Sequence, residues 1–340
     1  MTTTNKQWLL AARPKGEAAT SDFRLVETPV PQALAEGQVL VRQLYLSLDP
    51  YMRMRMNDAK SYAAPQPLDA VMIGGTVGEV AASRHPKFAV GDKVVGMGGW
   101  QQYALVDGNA PGLLRKVDAT QVPLSAYLGA VGMPGVTAWY GLVKLCQPKA
   151  GETVVVSAAS GAVGGAVGQL AKVRGCRVVG IAGGAEKCRY VVDELGFDAC
   201  VDYKRHADAA ALDAALAQAA PNGIDCNFEN VGGEILNAVL RRMNAFGRVA
   251  LCGMISGYEG RPVPLANPAL LLTQRLRVEG FIVSEHMDAW PEALKELATL
   301  VATGRLKYRE SIAPRIEDAP QAFLGLLKGR NFGKQLVKLF

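Results

Sequence analysis

Residues 153–172 constrain the fold more than any other part of this chain. TVVVS (153–157) reads as a buried strand that runs into AASGAVG (158–164), and GAVGQLAK (165–172) follows as a helical stretch. Against the pattern G-x-G-x-x-G the match is Ala159-x-Gly161-x-x-Gly164, with alanine in place of the first glycine. The setting gives the match its meaning. A dinucleotide pyrophosphate must approach backbone N–H groups at the positive end of a helix, with no Cβ in the way. Gly161 would allow that approach, with Ala162 and Val163 beside it. Gly164 and Gly168, one helical turn apart, would let the helix sit close on the sheet. The other reading is a merely flexible strand-to-helix turn, and a lone G-x-x-G does not separate the two.

The surroundings favour the first reading. Strand-like segments at 153–157, 177–181, 199–202, 224–229, 248–252 and 278–283 alternate with helix-like ones at 164–174, 186–194, 207–219 and 234–241. A further helix starts near Pro291 and ends around Thr303. Such alternation is the signature of a parallel sheet covered by helices on both faces. Upstream, short β-rich stretches at 23–26, 38–46, 71–80 and 93–97 are separated by Pro, Gly and Asp. They indicate a small barrel or sandwich. The end of the chain, with strand-like 308–312 and 334–339, could return to that first domain. The expected fold class is α/β, with a doubly wound (Rossmann) domain at 129–300 and a β-rich domain made of 1–128 and 301–340. A chain of 340 residues suits about two domains at roughly 150 residues each.

Composition removes other classes. With 49% apolar and 20% charged residues, the chain can bury a large core and is not a disordered protein. Its net charge of +6 is scattered and forms no nucleic-acid-binding run. The apolar patch at 8–12 is too short for a signal segment or a membrane span, which leaves the cytoplasm as the expected location. Six cysteines without a CxxC pair read as reduced, mostly buried thiols. Residues 1–145 hold no Cys and a single His, His85, while His206 and His286 lie far apart in sequence. Each reads as an ordinary surface or capping histidine, so no metal site is expected. A Ser-His-Asp hydrolase lacks its nucleophile elbow.

The second strand suggests which dinucleotide. An NAD site usually offers a carboxylate at that strand's tip. Here the tip is Ile181-Ala182-Gly183-Gly184, with none. Lys187 follows, and its ammonium could pair with a 2′-phosphate, which favours NADP(H). An exposed lysine without a specific contact is the alternative.

Five further motifs carry a family resemblance. LSLDPYMR (46–53), GMPGVTAWY (132–140), FENVGG (228–233), CGMISGY (252–258) and GRNFGK (329–334) join AASGAVG in order across almost the whole chain. Together they resemble the zinc-independent group of the medium-chain dehydrogenase/reductase superfamily: prostaglandin reductases, plant double-bond reductases and bacterial NADPH-dependent curcumin reductases. The resemblance implies a GroES-like β-barrel domain that meets the Rossmann domain at a cleft. It also implies NADPH-dependent reduction of the C=C bond of α,β-unsaturated aldehydes or ketones, a small-molecule partner and a homodimer. Carried over, Gly161, Ala162, Val163 and Gly164 would hold the pyrophosphate, and Lys187 with Tyr203 would contact the 2′-phosphate. Asn230 would sit by the ribose. Cys252, Gly253, Met254, Ile255, Ser256 and Tyr258, with Phe281, Ile282 and Val283, would line the nicotinamide. Met133 and Thr137 would border its pocket, and Asn331 would close over the cofactor. The stretch from Lys187 to Tyr203 is a residue longer than in the animal enzymes, and Gly257 stands where bulkier residues often occur.

That chemistry needs few side chains. Hydride from the nicotinamide C4 reaches the β-carbon, charge builds on the carbonyl oxygen as an enolate, and the α-carbon then takes a proton. A phenol that hydrogen-bonds the oxyanion would help. Tyr258, just past the strand carrying Cys252, is the first candidate, and Tyr51, after Pro50, is the second and reads more readily as a pocket wall. Two other functions remain open: a zinc-independent quinone reductase of the zeta-crystallin type, and an NADPH-binding sensor that keeps the fold without turnover.

Overall fold

The computed structural model describes residues 4–112, 114–206 and 208–340. The chain divides into two compact units, Met1–Leu128 with Glu310–Phe340, and Gly129–Arg309. In the first unit β1 (Thr4–Leu10) pairs antiparallel with β2 (Phe23–Pro29). Next come β3 (Gln38–Ser47), the short helix α1 (Tyr51–Arg55), β4 (Thr76–Ser83), β5 (Lys93–Gly96), β6 (Tyr103–Asp107) and β7 (Leu114–Lys116).

The second unit opens with α2 (Met133–Trp139), which runs into a π-helical segment, Tyr140–Cys146. Then follow β8 (Thr153–Ser157), α3 (Ala162–Val173), β9 (Arg177–Ala182), α4 (Ala185–Arg189), β10 (Ala199–Asp202), α5 (Ala209–Ala219) and β11 (Ile224–Glu229). The unit ends with α6 (Gly233–Arg242), β12 (Met243–Leu251), α7 (Ala269–Thr273), β13 (Arg277–Gly280) and α8 (Trp290–Ala302). Its six strands pair in parallel in the order β10-β9-β8-β11-β12-β13. This is the doubly wound arrangement that the alternating pattern predicts. β8 is buried at every position, as a central strand covered on both faces must be.

The chain then returns to the first unit through β14 (Glu310–Ala313), α9 (Ala319–Leu327) and β15 (Lys334–Lys338). The first unit's main sheet runs β14-β15-β3-β4-β5-β7. One edge of β3 carries β4, and the other is shared by β6 along 38–42 and β15 along 45–47. Phe323 of α9 is fully buried and packs edge-on against the Phe23 and Trp100 rings, which stack 5.4 Å apart. The return is therefore part of that core.

Several local readings change. The apolar patch at 8–12 begins as the end of β1, whose Trp8 indole donates to the Ile316 carbonyl at 2.8 Å. The strand expected at 71–80 starts only at Thr76, because Gly74 threads between Leu46 and the Trp100 ring, where a Cβ would lie 2.8 and 3.0 Å from them. Residues 281–283 leave the sheet, since the Phe281 ring turns onto Phe228 and Tyr140. The expected helix at 207–219 begins at Ala209, capped by the Asp208 side chain, and Ala207 lies outside the described residues. Residues 301–309, which the sequence assigns to the return, cluster with the second unit. There the Gln169 side chain holds both the N–H and the carbonyl of Lys307, each at 2.8 Å.

Candidate functional site

β8 ends at Ser157, and the chain turns sharply through Ala158, whose φ of 50° is left-handed. Gly161 is the N-cap of α3 and donates its N–H to the Ala158 carbonyl at 2.9 Å. A Cβ on Gly164 would lie 2.4 Å from that same oxygen, so α3 presses directly on the turn. On Gly161 a Cβ would meet only the Ala158 oxygen, at 3.2 Å, leaving its other side open. Amides of the first turn of a helix have no intrahelical acceptor, so the loop is a ready anion cradle. Gly168 corrects the expectation. A Cβ there would lie 1.8 Å from the Phe197 ring, so this glycine makes room for an aromatic side chain rather than for the sheet.

At the ends of β9 and β10 a second polar cluster forms. Asp202 accepts the N–H groups of Gly184 and Lys204, at 2.7 and 3.2 Å, and so fixes the Gly183–Gly184 turn. The side chains of Tyr203 and Lys204 pack on Gly183, where a Cβ would lie 2.9 Å from Lys204 Cε and 3.0 Å from the phenol oxygen. Burial first, and the Lys204 charge second, hold the Lys187 ammonium below the ordinary lysine range. Burial pushes the Tyr203 phenol up, with Asp202 adding to it. Two ammonium groups and a phenol at one glycine turn suit a dianion. The sequence singled out Lys187 and Tyr203 here and missed Lys204 and Asp202. Their signal was the DYK run closing the third strand.

The ends of β8, β11 and β12 are tied through one residue, Glu229. Glu229 is fully buried and accepts from Ser157 Oγ (2.9 Å), Asn227 Nδ2 (3.1 Å) and the N–H groups of Val231 and Gly232 (both 2.7 Å). Asn230 donates its amide to the Ser157 carbonyl at 2.8 Å and its N–H to Ser157 Oγ at 2.7 Å. The Glu229 carbonyl in turn accepts the N–H groups of Cys252 and Gly253, at 2.9 and 3.1 Å. Burial, then Glu229, pushes the Cys252 thiol up to about 12. Past Gly253, Ile255 and Ser256 donate to the carbonyls of Asn230 and Val231. Tyr258 folds back so that its phenol oxygen accepts the Met254 N–H at 3.4 Å. Gly257 has a packing reason: a Cβ there would lie 2.4 Å from the Val263 side chain.

Beyond β13, Phe281 stands edge-on to Phe228, and Gly141 is the small residue that admits both rings. Val283 is buried, and Ile282 precedes a 3-10 turn at Val283–Glu285. In α2 the Thr137 hydroxyl donates to the Met133 carbonyl at 2.8 Å. Tyr140 and His286, which the sequence did not pair, stack 4.2 Å apart and share a hydrogen bond of 3.0 Å. His85 is a buried loop residue rather than a surface one: its ring accepts the Lys87 N–H and meets Asn109.

Two expected site residues belong to the first unit. Tyr51 starts α1, and burial first, then Asp49, pushes its phenol up, so it is a neutral hydroxyl. The turn before it is clamped by Lys334 of β15. Its buried ammonium reaches Asp49 at 2.9 Å and the Leu48 carbonyl at 2.7 Å, while Ser47 donates to the same carboxylate. Asn331 bonds locally to the Gly333 carbonyl at 2.8 Å.

Within the second unit, then, the phosphate cradle, the Lys187 cluster, Asn230, Cys252–Tyr258 and Phe281–Val283 all follow the C-terminal ends of one parallel sheet, where open α/β sheets bind ligands. Known proteins give this edge a family. Residues 6–113 match a model described as the N-terminal domain of oxidoreductase, and 162–299 match one described as zinc-binding dehydrogenase. The chain is 47% identical to the NADPH-dependent curcumin reductase of Escherichia coli (strain K12), over 98% of this chain and 97% of that protein. The chain belongs to the medium-chain dehydrogenase/reductase superfamily. Within this superfamily it is 43% identical to a 2-alkenal reductase (NADP(+)-dependent) of Nicotiana tabacum, over 98% of this chain and 97% of the other. The crystal structure of CurA in complex with NADPH from Vibrio vulnificus superposes with a TM-score of 0.91 at 45% identity, covering 98% of this chain and 99% of that one. The chain is an oxidoreductase of the superfamily's zinc-independent curcumin, prostaglandin and 2-alkenal reductase group. The zinc in the second model's description does not fit these residues. Residues 1–145 contain no cysteine, and among the described residues no three His, Cys, Asp or Glu side chains gather as ligands. Among the described residues, no helix is long and apolar enough to cross a membrane.

Proposed function

We propose that this enzyme uses NADPH to reduce the C=C bond of α,β-unsaturated aldehydes and ketones. The observation that carries the reading is the placement of Tyr258: a phenol anchored on the Met254 N–H, at the same sheet edge as a phosphate cradle and a paired-lysine cluster. The names of the curcumin and 2-alkenal reductases among its relatives point to the same substrate class. When bound, NADPH supplies the hydride that adds to the β-carbon of the substrate. The Gly161–Gly164 turn, with Ala162 and Val163, takes the pyrophosphate, and Lys187 with Tyr203 takes the 2′-phosphate. Asn230 lies by the ribose. Residues 252–258 and 281–283, with Met133 and Thr137, border the nicotinamide. Tyr258 donates to the carbonyl oxygen as charge builds there. The accepted Met254 N–H strengthens the phenol as a donor, because linked hydrogen bonds polarise one another. No side chain need act as a strong base, and water can deliver the α-proton.

The test is NADPH oxidation measured with short enals, long-chain enones and simple quinones. Enals or enones should be turned over fastest, and Tyr258→Phe should cut their kcat by about 10-fold or more with NADPH affinity unchanged. A quinone faster than every enal and enone overturns the substrate class. Unchanged turnover in Tyr258→Phe removes the oxyanion role.

We also propose a homodimer formed through the edge of the parallel sheet. β13 is the last strand of that sheet and is exposed along its whole length, and bare edges of this kind invite pairing. Light scattering should give about twice the 36.1 kDa of one chain. A monomer mass at micromolar concentration rejects the dimer.

A further inference from the structure

An exposed loop is pinned beside Tyr258 by one valine and one buried amide. Past the 3-10 turn Ile255–Gly257 and Tyr258, the chain runs through 259–268 before α7 begins at Ala269. Pro262 and residues 264–268 are exposed, but Val263 between them is half-buried. Its two γ-carbons are seated on two glycines. A Cβ on Gly232 would lie 2.7 Å from one, and a Cβ on Gly257 would lie 2.4 Å from the other. Pro264 disfavours a helical backbone at Val263, which keeps this short stretch extended. Just beyond it, Asn237 of α6 closes the strap. The Asn237 side chain is buried; its Oδ1 accepts the Ala266 N–H at 3.0 Å, and its Nδ2 donates to the Pro264 carbonyl at 3.3 Å.

We propose that Val263 and Asn237 are positioning residues for Tyr258: together they fasten the 259–267 strap, and the strap holds the phenol in place for the substrate carbonyl. The proposal rests on the reading of Tyr258 as the oxyanion donor. On its N-terminal side, Tyr258 follows a turn hung on the carbonyls of Asn230 and Val231, which accept the N–H groups of Ile255 and Ser256 at 3.2 and 3.0 Å. On its C-terminal side, Gly260 has a left-handed φ of 85°. With Gly257 just before the tyrosine, the backbone around it is pliant, and glycine adds no side chain to steady it. The phenol's own tether to the Met254 N–H is long, at 3.4 Å. Its aim therefore depends on where the backbone of residue 258 is held, and the nearest fixed points downstream are Val263 on its two glycines and the Asn237 clamp. A donor to a developing oxyanion works over a narrow range of distance, and a displacement of about 1 Å can lower a rate by as much as about 100-fold. Gly257 has a role in the same device, since any side chain there would occupy the seat of Val263.

The experiment uses the full-length protein and measures enone reduction, NADPH affinity by nucleotide fluorescence, and hydrogen exchange of the Ala266 amide. Asn237→Ala should speed exchange at Ala266 and lower kcat by about 5-fold, with NADPH affinity within about twofold of the parent. Combined with Tyr258→Phe, it should lower kcat by less than about twofold more, because a residue that acts through the phenol then has nothing left to position. Gly257→Ala should lower kcat by a similar factor, its methyl displacing Val263. Adding Val263→Ala vacates that space and leaves the new methyl 3.8 Å from the Val263 Cβ position, an ordinary contact. The pair should recover kcat to within about twofold of the parent. Full additivity of Asn237→Ala with Tyr258→Phe overturns the proposal, as does a Gly257→Ala loss that Val263→Ala does not relieve. Unchanged exchange at Ala266 in Asn237→Ala overturns the clamp, and unchanged kcat despite faster exchange overturns its effect on the phenol. Failure of the oxyanion reading shows separately, as full turnover in Tyr258→Phe alone.

Discussion

Lys187→Ala should weaken NADPH binding by roughly 10- to 100-fold and leave NADH binding within about twofold, the range of one or two charge-assisted hydrogen bonds to a phosphate. The size follows from how the lysine is held. Its ammonium is half-buried, and burial first and the Lys204 charge second disfavour its charged form. A 2′-phosphate offers three acceptor oxygens and negative charge to both ammonium groups at once, so its binding relieves the repulsion between them as well as forming new bonds. NADH lacks that phosphate and gains nothing from either lysine. Titration of nucleotide fluorescence, at low and high salt, reads the effect directly. The NADPH preference should shrink as salt screens the pair. An equal loss of NADH and NADPH affinity would mean that Lys187 supports the turn rather than the phosphate.

What the sequence shows of this site depends on how far apart its partners are. The cradle is legible because strand, turn and helix are contiguous and Gly161 and Gly164 act within a few residues of themselves. The NADPH preference is half legible. Lys187 stands in a readable place, but Lys204 reaches the same turn only because β10 lies next to β9. The role of Gly168 is not legible at all. Glycine at that helical position predicts close packing, while the identity of the packing partner, Phe197, is fixed by the fold of the 190–198 connection. Helix α2 and its π continuation are missed for a similar reason. GMPGVTAWYGL is poor in strong helix formers, and it stays helical because it is buried, with Gly141 making room for the Phe228 and Phe281 rings. In the first unit, the clamp between Lys334 and Asp49 spans 285 residues, so neither residue alone signals that it shapes the turn before Tyr51.

Glu229 is the plainest case of a residue whose importance only the structure reveals, and it carries the largest expected effect on stability. Four donors converge on its side chain from β8, from β11 and from the turn that follows, and its surroundings exclude water. Glu229→Ala removes every acceptor and leaves those donors buried, two of them backbone N–H groups. The expected cost is about 3–5 kcal/mol, the range for stripping the acceptor from a buried charged network. In a unit of this size that corresponds to a melting temperature lower by roughly 10 °C. Glu229→Gln separates shape from charge. Its carbonyl oxygen can still accept from Ser157, Val231 and Gly232, while its amide faces Asn227, whose Oδ1 is buried without a hydrogen bond and is exposed to the new donor by a flip. That variant should lose about 1–2 kcal/mol, since one donor instead of four goes unmet. Calorimetry on both variants tests the ordering. If Glu229→Ala melts within a degree or two of the parent, the network does not hold the sheet edge. Asn230 would then be held by Ser157 without help from the carboxylate that fixes the Ser157 hydroxyl, while Cys252 and Gly253 keep the backbone carbonyl of residue 229 in either variant.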